Sequence, residues 1–138
     1  MAENGKVFIS YARVDLPFVA RMAAEMRASG VDLWLDTLDI PLGKSWDDEI
    51  EKALKQCSRF LVVLTPESVA SANVRDEINE AIERGVHIIP ALLRPCEVPF
   101  RIKRLQRFDL SSSPDVEIKR LIGALVSGGQ SIPPPPPP

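Results

Sequence analysis

The chain has 138 residues, is 45% hydrophobic and 26% charged, and carries a formal net charge of -2. That length suits one domain with a sizeable core, and the near-neutral charge marks no nucleic-acid or polyanion binder. The single histidine, His87, argues against a histidine-based metal site, and the longest apolar runs, around 60–64 and 86–93, are far too short to span a bilayer. The N-terminal MAENGKVF has no long apolar run behind a basic start, unlike a secretion signal. Cys57 and Cys96 lie in unrelated segments with no CxxC spacing. That usage suits free thiols in a reducing compartment, while one disulfide stays open from sequence alone. The expectation is a cytoplasmic protein with no membrane and no nucleic-acid partner.

In chain order, KVFISYA (6–12) has a strand pattern, and DLPFVARMAAEMRASG (15–30) a helical one. Leu16, Val19, Met22, Ala23 and Met26 give that helix a 3.6-residue stripe. Asp15 is placed to cap its start, Pro17 is tolerated in its first turn and Gly30 ends it. VDLWLD (31–36) is a second strand, followed by a loop over 37–45 with Pro41 and Gly43 as breakers. SWDDEIEKALKQC (45–57) is the next helix. Ser45 and Asp48 form a variant of the capping box, and Trp46, Ile50, Ala53, Leu54 and Cys57 form its stripe. RFLVVLT (59–65) is a continuous apolar strand, as expected where both sheet faces are covered. SVASANVRDEINEAIERG (68–85) is a short polar lead-in and a charged helix, with Val74, Ile78, Ala81 and Ile82 on one face. VHIIPALLR (86–94) is a fourth strand, 95–106 is basic and irregular, RFDLSS (107–112) is a short fifth strand, and DVEIKRLIGALVSGG (115–129) is a last helix with Ile118, Leu121, Ile122 and Leu125 inward.

Strands that alternate with helices predict a parallel sheet covered on both faces, and right-handed crossovers leave few topologies. The expectation is an α/β, flavodoxin-like three-layer fold: a five-stranded parallel sheet in the order 2-1-3-4-5, over residues 1–126. Residues 127–138 read as a tail: Gly- and Ser-rich to 132, then six prolines of extended polyproline II. That tail fits a linker to a further domain of the same protein beyond the prolines, or a ligand for a proline-binding partner.

Ligands in such sheets sit beyond the carboxyl ends of the strands, where strand order reverses. Here that point lies between the first and third strands. It gathers Ser10, Tyr11, Ala12 and Arg13, then Thr65, with Asp36 and the loop 37–45 alongside and the helix of Glu77 starting nearby. Several chemistries are excluded. None of the seven glycines makes GxGxxG or GxxxxGK[ST], so no phosphate cradle of either type is present. Neither ISYAR nor LTPE supplies a phosphoacceptor aspartate at a strand end, and His87 opens the fourth strand at the wrong end for a Ser/His/Asp triad. Arg13 fits either a phosphate contact or open surface. Tyr11 either lines the crevice or, by the alternation of FISYA, is buried. Trp46 fits core packing with an edge left for a ligand. Trp34, between Leu33 and Leu35, reads as structural. Asp36 and Lys44 flank the loop and suit capping, pairing or substrate contact, and Gly43 permits a backbone turn. On the charged helix, Asp76, Glu80 and Glu83 read as solvated, with Glu80 paired to Arg84.

VFISYARVD resembles the first-strand box of Toll/interleukin-1 receptor (TIR) domains, especially the bacterial ones. WLDTLDIPLGKSWDDEIEKAL is similar to that family's second strand, its BB loop and its second helix. FLVVLTPESVASANVRDEINEA is similar to the third strand and its helix, and VHIIPALL to the fourth strand. The resemblance spans about 6–126. It implies one of two functions. Many family members cleave NAD+ at the nicotinamide–ribose bond, giving ADP-ribose or a cyclic variant, and others are non-catalytic TIR–TIR interaction or adaptor modules. For the enzymes it implies a catalytic glutamate on the third helix, which in SANVRDE is Glu77, with NAD+ as substrate and no other cofactor. It further implies self-association of TIR domains through the loop 37–45, and with that substrate the residues gathered at the crevice, Ser10, Tyr11, Arg13, Asp36, Gly43, Lys44 and Trp46, become the candidate substrate contacts. Asn73 stands where family members often carry an aromatic, commonly Trp, four residues before that glutamate.

Overall fold

A computed structural model describes residues 6–35 and 46–126, the side chains of Trp46 and Asp47 excepted. Five short apolar runs form strands: β1 (Lys6–Ser10), β2 (Leu33–Leu35), β3 (Cys57–Leu64), β4 (His87–Leu92) and β5 (Phe108–Asp109). They pair in parallel in the order β2-β1-β3-β4-β5, the predicted flavodoxin-like arrangement. The connections carry helices α1 (Leu16–Ala28), α2 (Trp46–Gln56), α3 (Pro66–Ala70), α4 (Ala72–Glu83) and α5 (Pro114–Val126).

The period-2 alternation of the strands divides the interior into two cores. Val7, Ile9 and Tyr11 face α1 and α5, together with Leu33, Leu35, Leu61 and Val63. Phe8 faces α2 and α4, together with Trp34, Phe60, Val62 and Leu64. Phe8 is in register with Trp34 on one side and Phe60 on the other, and its ring stacks on both, at centroid distances of 5.0 and 5.4 Å. This row of three rings crosses β2, β1 and β3 and makes Trp34 structural, as its alternation predicted. The predicted stripes of α1, α4 and α5 point inward: Val19, Met22 and Met26; Val74, Ile78 and Ala81; Ile118, Leu121 and Leu125 are all buried.

Two local features follow from the parallel pairing. Leu93 donates its N–H to Leu64 of β3, whereas the Leu92 carbonyl accepts from Leu110 beyond β5. Residues of β4 thus point their hydrogen-bonding groups alternately to the two neighbours, and Pro90 shares the parity of Leu92. Its missing N–H faces the side where β5 has not begun, since β5 pairs only with Ala91 and Leu92. A proline is therefore tolerated there at no ladder cost. On β3, the buried Arg59 donates from Nη1 to the carbonyl of Leu125 at 2.7 Å, so a guanidinium satisfies an end of α5 that has no intrahelical partner.

Several boundaries differ from the sequence reading. Cys57 opens β3 instead of ending α2, although its Sγ still donates to the Leu54 carbonyl. The run 107–112 yields a strand of only two residues, because Asp109 Oδ1 accepts from the N–H and hydroxyl of Ser111 and turns the chain away. The polar lead-in to α4 is itself helical: Thr65 and Ser68 form a reciprocal capping box on α3, and Ser71 then caps α4 through the Val74 N–H. The stretch 95–106 holds a 3-10 turn, Phe100–Ile102, whose Ile102 is fully buried. Asp15 stands at the N-cap position of α1, but its side chain makes no cap hydrogen bond and is drawn elsewhere, as described below. The Ser45 cap, the loop 37–45 and the tail 127–138 lie outside the described residues. Both cysteines are free, and burial pushes the Cys57 thiol up to about 11, which keeps it protonated and inert at neutral pH.

The stacked row of rings sets an expectation for stability. Phe8→Ala lowers the unfolding free energy by about 3–5 kcal/mol, read from urea denaturation. A loss below about 1 kcal/mol would show that the row is not a packing centre.

Candidate functional site

The alternation that sends Phe8 toward α2 and α4 sends Ser10 the same way and Tyr11 the other. Ser10 is fully buried at the carboxyl end of β1, and its Oγ donates to Glu77 Oε1 at 2.7 Å. Glu77 lies in the second turn of α4 and is only 7% exposed, although it sits in a run of otherwise water-facing acids. At that distance a hydroxyl-to-carboxylate bond is of the strong, charge-assisted kind and fixes the carboxylate's position.

Glu77 opens on one side into a cleft between α2 and α4. The cleft has a volume of about 240 Å³ and is lined by Ile50, Glu51 and Leu54 from α2 and by Asp76, Glu77 and Glu80 from α4. Two of these acids pair with Arg84, whose Nε lies 2.8 Å from Glu80 and Nη2 3.8 Å from Glu51. The pairing of Glu80 with Arg84 is the one that the helical spacing predicted. The lining is thus acidic with an apolar floor, which favours a cation or developing positive charge over an anion. Its volume lies below the ~300–1,000 Å³ of a site enclosing a whole drug-sized ligand, so it accommodates a fragment of a dinucleotide.

A second polar cluster sits where β1, β3 and β4 end. Asp15, buried, accepts from Thr65 Oγ1 at 3.0 Å and pairs with Arg94 Nη2 at 2.8 Å. The same Arg94 nitrogen lies 2.7 Å from Glu67 Oε1. The hydrogen bond from Arg94 holds the Glu67 carboxyl below its ordinary value, and the bonds to Glu67 and then Asp15 hold the Arg94 guanidinium above its own. Each of these residues directly follows a strand or opens the helix after it, so the cluster ties together the three chain segments at the strand-order reversal.

Of the residues proposed from sequence, the structure brings Ser10 and Glu77 into direct contact. Tyr11 is buried in the core under α1 and α5, on the opposite face of the sheet from Glu77. Arg13 is exposed in the 3-10 turn Arg13–Asp15 after β1. Thr65 is consumed by the Asp15 bond and the α3 cap. Asp36, Gly43, Lys44 and the side chain of Trp46 lie outside the described residues. Asp76 is exposed and Glu80 half-buried, and both line the cleft. Sequence reasoning missed Glu51, Ile50 and Leu54 as cleft residues, because nothing local marks which flank of α2 meets α4. It also missed the Asp15–Thr65–Arg94–Glu67 cluster; its one available signal was that Thr65 and Arg94 end predicted strands and Asp15 opens the helix after the first. Among the described residues no group of three or more His, Cys, Asp or Glu is placed to hold a metal ion, and no helix is long and apolar enough to cross a membrane.

Two outcomes test this geometry. Ser10→Ala removes the donor to a buried carboxylate oxygen and lowers stability by about 1–3 kcal/mol at neutral pH; an unchanged urea midpoint would mean the bond contributes nothing. Glu67 has a folded value below its unfolded one, so its contribution is complete above the ordinary carboxylate value, about 4.3. That contribution is lost as pH falls through the lowered folded value. The Tm gap between wild type and Glu67→Gln therefore closes below about pH 4 and stays open at neutral pH, as thermal melts across that range would record.

Comparison with known proteins follows the same lines. The family model described as the TIR domain matches residues 7–122. No curated protein matches the chain. Among solved structures, the fold is similar to the TIR domain of the Toll-related receptor TRR-2 from Hydra magnipapillata, with 23% identity and a TM-score of 0.78 over 87% of this chain and 97% of that one. It is similar to a prokaryotic SEFIR domain, with 21% identity and a TM-score of 0.70 over 96% and 99% of the two chains. It is also similar to the TIR domains of the activated Roq1 resistosome, with 18% identity and a TM-score of 0.61 over 89% and 84%.

Proposed function

The chain belongs to the TIR domain family, and from that premise we propose that it is an NAD+ nucleosidase with Glu77 as its catalytic carboxylate. The observation that carries this reading is the buried Glu77 carboxylate, held by Ser10 at 2.7 Å and facing the acid-lined cleft between α2 and α4.

The chemistry asks for little else. The nicotinamide of NAD+ is a pyridinium, so breaking its bond to the ribose C1′ sends the bonding pair to the ring nitrogen and releases neutral nicotinamide. The leaving group needs no proton, unlike the oxygen of an ordinary glycoside. The ribose left behind has oxocarbenium character. A fixed carboxylate beside it accepts hydrogen bonds from the ribose hydroxyls and opposes the positive charge. Water then attacks C1′ and loses a proton to solvent or to the carboxylate, giving ADP-ribose; attack by a group of the same ADP-ribose gives a cyclic product. The acidic lining of the cleft favours the cationic nicotinamide end, and in this reading Arg13 contacts the pyrophosphate. Asp36, Gly43, Lys44 and Trp46 complete the substrate contacts in this reading, and Tyr11, on the far face of the sheet, does not take part.

Self-association through the loop 37–45 belongs to the same proposal: a neighbouring domain closes a site that is too open to hold a dinucleotide alone. In that case the domain works in the cytoplasm and is switched on when a module beyond the prolines clusters it, a signalling or bacterial-defence arrangement. The second reading, an interaction module without catalysis, is favoured by one feature: no aromatic side chain lines the cleft among the described residues, and the exposed Asn73 stands where an aromatic would stack on nicotinamide.

Concentrated protein incubated with NAD+ is expected to release nicotinamide, at a rate rising more than linearly with protein concentration. Glu77→Gln retains an acceptor for Ser10 and is expected to keep its Tm while losing activity by about 100-fold or more. Wild-type rates in that variant would falsify the assignment, and no release at any concentration would leave the interaction module as the function.

A further inference from the structure

Residues 98–108, between β4 and β5, hold Arg101, Lys103, Arg104 and Arg107 and no acid, on a chain whose net charge is -2. The backbone there winds tightly: Ile102 donates its N–H to the Pro99 carbonyl at 3.1 Å, Lys103 to that of Phe100 at 3.2 Å and Leu105 to that of Ile102 at 3.1 Å. At three residues per turn, one position in three faces the protein. That position is Ile102, fully buried in the core layer of α2 and α4. Phe100, Arg101, Lys103 and Arg104 consequently face water, and Phe100 is 84% exposed. It is the only exposed aromatic side chain among the described residues.

These cations differ from the other arginines in their partners. Arg84, Arg94 and Arg120 each pair with a carboxylate. Among the described residues Lys103, Arg104 and Arg107 form no ion pair, and Arg101 donates from Nη1 to the neutral side chain of Asn79 at 3.1 Å. Arg107 lies near Asp109, whose carboxylate Ser111 already engages. A groove beside the turn is lined by Glu97 as well as by Arg75 and Lys103, so its charge is mixed and no bound anion is assigned to it. The unneutralised charge belongs to the outward tip, Phe100–Arg104.

We infer that this tip docks peripherally on an anionic lipid surface, with Phe100 entering the headgroup layer and Arg101, Lys103 and Arg104 around it meeting lipid phosphates. A protruding ring encircled by cations suits a surface that is soft and uniformly negative. The ring enters it, the aliphatic stems of Arg and Lys follow, and their charged ends stay among the headgroups. Single-stranded nucleic acid asks instead for several aromatic platforms in succession, and the tip offers one ring. The short apolar runs of the sequence exclude a spanning helix, not a docked tip of this kind. No residue of the tip lines the cleft of Glu77, so the docking is independent of NAD+ cleavage and serves an enzyme or an adaptor alike.

The test is co-sedimentation of the protein with phosphatidylcholine vesicles prepared with and without phosphatidylserine. Wild type is expected to sediment with the phosphatidylserine vesicles at low salt, to stay in solution with phosphatidylcholine alone, and to be released as salt rises. Lys103→Glu with Arg104→Glu is expected to abolish binding, and Phe100→Ala to weaken it about tenfold; all of these side chains are exposed, and an unchanged far-UV spectrum checks the fold. Arg21→Glu with Lys119→Glu makes the same change in net charge at exposed sites on α1 and α5 and is expected to bind within about twofold of wild type. No binding of wild type, equal binding to phosphatidylcholine alone, or an equal loss in the Arg21 and Lys119 variant would each overturn the inference. Tighter binding to a single-stranded oligonucleotide than to the vesicles at the same salt would replace the lipid with nucleic acid.

Discussion

The parity of β1 governs the arrangement of everything around it. This strand lies between β2 and β3, and consecutive side chains leave it toward opposite layers. Phe8 and Ser10 go to the α2–α4 side, Ile9 and Tyr11 to the α1–α5 side. A slip of one residue would put the Phe8 ring under α1, break the stacked row with Trp34 and Phe60, and take Ser10 away from Glu77. The hydrogen bond between Ser10 and Glu77 spans 67 residues of sequence. It therefore exists only because a packed aromatic row and the sheet register on both sides of β1 hold the strand in place.

That constraint separates two polar clusters that lie near one another in sequence but do different work. At the strand-order reversal, Asp15 and Thr65 are bound to one another, and Arg94 is shared between Asp15 and Glu67. A buried carboxylate with both a hydroxyl donor and a guanidinium partner has its charge matched, and breaking one partner would be costly. This cluster is closed: its groups face each other. Glu77 is instead held by a neutral hydroxyl, among other acids, on the wall of an open cleft. In the proposed reaction, that fixed carboxylate meets the positive charge that develops on the ribose.

Arg59 makes the same point about matched burial. A guanidinium inside a β3 run that reads as apolar would be hard to accommodate, and burial lowers its pKa. The end of α5 supplies what it needs, a carbonyl at 2.7 Å at the negative pole of a helix. The sheet, the closing helix and the buried cation are thus parts of one solution, and the end of α5 is where the chain leaves toward residues 127–138.

Much of the fold was legible because it depends on local periodicity. The stripe Val19–Met22–Met26, the alternation of Phe8 and Ile9, and the apolar run of β3 each announce their element, and alternating strand and helix leave few ways to wind a parallel sheet. The short α3 and the two-residue β5 were less legible, since both depend on hydroxyl and carboxylate side chains competing for backbone groups, a contest in which strand, turn and cap all fit the same residues. Of the site, the family pattern in SANVRDE singled out Glu77, but no local feature distinguishes it from Asp76 or Glu80, its charged neighbours. The order of the residues determined that an acid-bearing helix would follow the third strand, because periodicity acts within a few turns of chain. Only tertiary structure decided which acid turns inward, that Ser10 meets it while Tyr11 cannot, and that α2 supplies the opposite wall, because those contacts join segments whose spacing in sequence carries no record of their distance in space.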